Sequence, residues 1–175
     1  NSGFVMPTPL SLGIEVSLKP TQTRLIQGKT NLFSETERQI NAKTDGTWLD
    51  FDTGAIKVFY EAFPNCSKSL EKGIQLVVSS NLPSSSGVSS SAALEIALLR
   101  AINKIENQNL NQIKLAKLAQ KIEHNFIGTK CGLMDQMVVS CGNVNKAMYF
   151  DVLNEKIINL PLFNDYEFLV VYSGS

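Results

Sequence analysis

Leu10, Leu12, Ile14, Val16 and Leu18 alternate with Ser11, Gly13, Glu15, Ser17 and Lys19. A period of two over nine positions predicts a half-buried strand. Thr23 to Gln27 and parts of 31–43 are expected to pair with it as a meander, with Gly28 and Thr44-Asp45-Gly46 as turns. Ala55, Val58, Phe59 and Phe63 stand at helical spacing ahead of Pro64-Asn65, and Ile74 to Ser79 reads as a buried strand. Beyond a run of small residues, Leu94, Leu98, Ala101, Ile102 and Ile105 mark one face of a long helix. Leu115, Leu118, Ala119, Ile122 and Phe126 mark a second. A shorter helical run spans 134–139, and strand-like segments follow at 146–152, 155–160 and 166–172. Strands, then helices, then strands predict the α+β class.

Composition adds mostly exclusions. The chain has 175 residues, 43% hydrophobic and 18% charged, as expected for one soluble globular domain. Sixteen basic and sixteen acidic residues leave no net charge, and no basic stripe invites a nucleic-acid partner. No apolar run approaches the roughly 20 residues of a membrane span, so none is expected. Cys66, Cys131 and Cys141 include no CxxC pair or zinc-type spacing, and their odd count points to a reducing compartment, expected to be the cytoplasm. The opening Asn1-Ser2-Gly3-Phe4-Val5 has neither an initiator Met nor the charged start of a signal peptide. The chain is therefore expected to be a piece of a longer protein.

The candidate chemistry begins in Pro83-Ser84-Ser85-Ser86-Gly87-Val88-Ser89-Ser90-Ser91-Ala92, between the strand at 74–79 and the long helix. Helix first turns carry unpaired N–H groups and about half a positive charge. Small residues let phosphate oxygens approach that backbone, and hydroxyls add donors or a magnesium ligand. No lysine stands at the P-loop position, which excludes GxxxxGK[ST]. The plainer alternative is a turn whose last serine caps the helix, although a cap needs only one serine.

Two acids follow. Glu123 falls at the flank of the second helix's apolar stripe, where it is either a solvated edge residue or a carboxylate facing a site. Asp135 opens the short helical run in Cys131-Gly132-Leu133-Met134-Asp135-Gln136, where acids also serve to complement the helix dipole.

Taken in order, these segments resemble the GHMP kinases, galactokinases in particular. Residues 82–93 resemble that family's Pro-x-x-x-Gly-Leu-x-Ser-Ser-Ala motif, with Val88 for Leu and with Ser84 and Ser85 where glycine is frequent. Glu123-His124, followed by Cys131-Gly132-Leu133-Met134-Asp135-Gln136, resembles Glu-His and Cys-Gly-Ile-Met-Asp-Gln at the same spacing. Asn1-Ser2-Gly3-Phe4-Val5-Met6-Pro7 resembles the segment after the galactokinase signature, and Lys146 to Asp151 the strand after the aspartate motif.

The resemblance implies the fold of the GHMP kinase N-terminal domain (ribosomal protein S5 domain 2-like), a mixed sheet packed against helices. It also implies a kinase that uses ATP and Mg²⁺ to phosphorylate the anomeric C1 hydroxyl of a sugar. Residues 83–92 would bind nucleotide, Ser90 and Glu123 the metal, and Cys131, Gly132 and Asp135 the sugar, with Asp135 catalytic. His124 is expected to be a hydrogen-bonded partner of the neighbouring loop. By the same resemblance, residues 1–175 form one N-terminal domain that lacks its signature arm and normally packs against its own C-terminal domain. Alone, the piece is expected to be inactive. Gly87-Val88-Ser89 and Cys141-Gly142-Asn143 also resemble plant-type arabinokinases, so another sugar-1-kinase stays open. So does a non-catalytic galactose and ATP sensor, although the intact serine run and Asp135 favour an enzyme.

Overall fold

The computed structural model describes residues 3–32, 34–83, 87–163, 165, 169 and 171. Strands β2 (Ile14–Pro20), β3 (Leu25–Thr30), β4 (Thr36–Gln39) and β5 (Ile74–Ser80) form one mixed sheet in the order β2-β5-β3-β4. The simple meander is not observed. β5 enters between β2 and β3, antiparallel to β2 and parallel to β3. Its apolar face explains the central place: Ile74 and Leu76 are wholly buried and Val78 nearly so. A parallel neighbour needs a long crossover, which helix α1 (Leu49–Ala62) and a 3-10 turn (Ser69–Lys72) supply.

β2 is shorter than its alternation suggests. The Gly13 N–H turns to the side chain of Asn81 (2.7 Å), the strand begins at Ile14, and Leu10 and Leu12 lie outside it, exposed. α1, in contrast, starts earlier than its apolar spacing suggests. Its first turns bury Asp50, Asp52 and Thr53, polar residues that hide a helix from a hydrophobicity pattern.

Helices α2 (Ser90–Ile105) and α3 (Gln112–Ile122) pack with α1 over the sheet. Asn111 caps α3 by accepting from the Lys114 N–H at 2.9 Å. Ile26, Phe59, Leu76, Leu98, Leu99, Ile102 and Ile122 are fully buried between these layers, each contributing roughly 1.5–3 kcal/mol. α1 lies close to α3 because Gly54 lacks a side chain: a Cβ there would come within 2.8 Å of Ile122.

A second sheet, ordered β1-β6-β7 from β1 (Phe4–Val5), β6 (Lys146–Asp151) and β7 (Lys156–Pro161), covers a smaller core. That core holds Met137 and Cys141 of α4 (Met134–Cys141) with Met148 and Phe150. The strand expected at 166–172 lies largely outside the described residues.

At the far end of α2, Glu106 accepts from Tyr60 (2.7 Å), the Ser67 hydroxyl (2.6 Å), the Lys68 N–H (3.1 Å) and both donors of Ser69 (3.0 and 2.8 Å). Burial pushes this carboxyl up, but those donors, led by Ser67, bring it down to about 2. The knot fixes the crossover onto α2.

Candidate active site

α2 begins at Ser90, and the residue before it, Ser89, is left-handed at φ 59° and ψ 40°. A serine held there costs on the order of 1–3 kcal/mol and is a feature of functional sites. The Ser89 side chain does not cap the helix, so the plainer capping role is not what it performs. Gly87 is also left-handed, at φ 70°. Ser84, Ser85 and Ser86 lie outside the described residues. Val88, Ser90 and Ser91 are half-buried and Ala92 is buried.

Pro83, Ser90 and Ser91 line a cavity of about 330 Å³, within the size range of small-molecule sites. Leu82, Trp48, Phe51, Ile14 and Leu32 make its walls largely apolar. Trp48 and Phe51 carry no motif and are distant in sequence, so pattern reading did not reveal them. The one available signal was that Trp48 is the only tryptophan in the chain.

Glu123 lies one step past α3, at the start of a π-helical turn (Glu123–Ile127), and is 5% exposed. π turns inside helices occur frequently at functional sites. Its side chain makes no hydrogen bond to a described residue. Facing it is Glu95 of α2, one turn beyond Ser91, with no exposure and neither oxygen hydrogen-bonded. Burial first, and Glu123 second, push Glu95 up to about 9. Gln136 lies close enough to oppose this, but not in hydrogen-bond geometry. Its own Oε1 is buried and unpartnered, and its Nε2 stands 3.6 Å from the Cys131 sulfur. Glu95 is a further site residue that sequence reading missed, because an acid in a long helix looks like part of a solvated face.

His124 Nε2 donates to the Cys131 carbonyl at 2.9 Å, and Gln120 donates to the same oxygen at 3.2 Å. His124 is thus the loop-holding group expected of it. Cys131 is half-buried, and burial raises its thiol above the ordinary range. Gly132 is exposed with open space at its Cα, and Asp135 stands half-buried in the first turn of α4. The start of α2, Glu95, Glu123, Cys131 and the start of α4 therefore form one continuous region.

Among the described residues no group of three or more His, Cys, Asp or Glu gathers to hold a metal. Mg²⁺ usually takes one or two protein ligands and keeps the rest of its shell for water and phosphate. Of the two residues expected to hold it, Glu123 is a carboxylate 5% exposed and Ser90 is half-buried at the start of α2.

The chain is 31% identical over 183 residues to the galactokinase of Lactobacillus helveticus, covering 100% of this chain and 46% of that protein. To the galactokinase of Haemophilus influenzae it is 30% identical over 178 residues, covering 99% and 45%. The chain thus spans about half the length of the curated relatives it matches. Among solved structures, Lactococcus lactis galactokinase complexed with galactose superposes with a TM-score of 0.82 at 26% identity, over 92% of this chain and 42% of that one. A D-glycero-D-manno-heptose 1-phosphate kinase from Bacteriodes thetaiotaomicron shares the fold, with a TM-score of 0.73 at 19% identity over 93% and 52%. The family model for the GHMP kinases N terminal domain matches residues 52–143, from the first turn of α1 through the end of α4. With both acids and the helix start inside that match, the chain belongs to the GHMP kinase family.

Proposed function

We propose that this chain is the nucleotide-cradling, aspartate-bearing domain of an ATP-dependent sugar kinase that phosphorylates the C1 hydroxyl of galactose. The observation that carries the reading is the uncapped start of α2, which opens beside an apolar cavity with Glu123 and Asp135 in the adjoining region.

The cavity suits a nucleobase, with Trp48 and Phe51 as its aromatic walls. Residues 83–92 bind the nucleotide, and the helix-start N–H groups face its phosphates. Ser90 and Glu123 hold Mg²⁺, which when bound neutralises phosphate charge. Cys131 and Gly132 border the sugar. The Asp135 carboxylate orients the C1 hydroxyl and accepts its proton as that oxygen attacks the γ-phosphorus and ADP leaves. Such transfers depend on positioning and charge neutralisation more than on covalent help. In this reading residues 1–175 are one domain whose partner is the C-terminal domain of the same protein, working in the cytoplasm.

The test is ADP release by the full-length protein with galactose, arabinose, N-acetylgalactosamine and fucose. Galactose is expected to give the highest kcat/KM. A preference for arabinose would reassign the substrate, and sugar binding without ADP release for any of the four would make the protein a sensor.

A further inference from the structure

Arg38 of β4 is a charged side chain only 8% exposed, and its bonds leave the sheet. Nη1 donates to Asp50 at 2.7 Å and to Asp45 at 3.1 Å, while Nη2 donates to the Leu49 carbonyl and the Thr53 hydroxyl. All four acceptors lie in the turn before α1 or in its first residues. Asp50, itself 4% exposed, passes the constraint on by accepting from the Gly46 N–H at 2.8 Å. Asp45 accepts from both the backbone and the hydroxyl of Thr47, at 3.0 and 2.7 Å. Residues 45–50 are thereby closed onto a single guanidinium.

That turn is a wall of the apolar cavity. Gly46, Thr47, Trp48 and Phe51 line it together with Ser90 and Ser91. The other side of the same turn faces a cleft with Phe126 and Ile127, from the π-helical turn that Glu123 opens. A buried ion pair is weak evidence for net stability, since its desolvation offsets much of the attraction. What it does provide is geometry. A planar fork that satisfies two carboxylates, a carbonyl and a hydroxyl fits one arrangement of the turn and few others.

We infer that Arg38 is a positioning residue for the nucleotide, acting through the 45–50 turn to hold Trp48 and Phe51 against the base. This rests on the nucleotide reading of the cavity. The side-chain bonds of Arg38 end in residues 45–53, the segment that lines the cavity read as the base site, so its influence belongs to ATP and not to the second substrate. A lysine at 38 keeps the charge but cannot reach all four acceptors at once, and only part of the effect should return.

The experiment measures KM for ATP, KM for galactose and kcat in the full-length protein, with ATP affinity measured separately by calorimetry. Arg38→Ala is expected to weaken ATP about 10-fold in both KM and calorimetry, leaving galactose KM and kcat within roughly 2-fold. Arg38→Lys should fall between wild type and Arg38→Ala. If Arg38→Ala does not fold, Asp45→Ala tests the same point, because its side chain is 51% exposed and it releases the turn without emptying a buried site. A few-fold loss of ATP affinity alone is expected there. Unchanged ATP constants in the folded variants, or ATP and galactose constants moving together, would overturn the inference. A wild-type protein that does not bind ATP at all would remove the nucleotide reading and the inference with it. ATP binding that the variants keep would remove only the inference.

Discussion

Asp52, Glu95 and Glu106 are all buried acids, yet their surroundings drive them in opposite directions. Glu106 is held at about 2 against an ordinary value near 4.5. Its contribution is present above the ordinary value and is lost as pH falls through about 2, and at neutral pH it is on the order of 3 kcal/mol. Glu106→Gln should lower stability at pH 7 by an amount of that order and flatten the acid side of the urea-unfolding curve. Glu95, pushed up to about 9, acts with the reverse sign: its folded state is favoured below about 4.5 and progressively penalised as pH rises toward 9. Glu95→Gln should therefore raise the urea midpoint at pH 8 and leave it nearly unchanged at pH 4. Asp52 follows the same sign. Burial places it well above the usual carboxylate range, Arg38 only partly opposes that, and neither oxygen has a hydrogen bond. A stabilised Glu95 variant with lower activity would mark this acid as one kept for the site at the expense of the fold.

The elements were legible in proportion to how far hydrophobicity alone shapes them. α2 and α3 follow their apolar stripes, and β5 its alternating buried face. The order of strands was not legible, because β2 and β5 both alternate and nothing local says that β5 enters between β2 and β3. The start of α1 was hidden by the acids that receive Arg38 and by Asp52. The sequence predicts a turn at Gly28, but it lies within β3 and is there for space: a Cβ would stand 2.6 Å from the Trp48 ring and 2.7 Å from Leu49. Gly28→Ala should force Trp48 outward, costing about 1–3 kcal/mol in urea unfolding, and should also weaken ATP. An Ala variant with wild-type stability and ATP affinity would mean that Trp48 can shift without consequence.

At the scale of the whole molecule, the serine-rich start of α2 was readable because small residues at a helix start leave a local signature, and the proposed phosphate site rests on it. Glu95, Arg38 and the aromatic walls left none, since folding alone brings them to the site. Phe4, Ile158, Leu160 and Phe163, on or beside the second sheet, remain exposed, which accords with the proposed packing against a further domain. Residues 1–175 alone are expected to release no ADP from ATP in the presence of galactose and Mg²⁺, and release above the background rate would show that this domain suffices. In the proposed reaction Asp135 serves the transferring hydroxyl. Its most direct test is formation of galactose 1-phosphate, followed by phosphorus NMR, in the full-length protein and its Asp135→Asn variant, with galactose affinity measured alongside. Turnover is expected to fall by roughly 10²-fold or more with galactose binding nearly intact; comparable turnover in the variant would remove Asp135 from the mechanism.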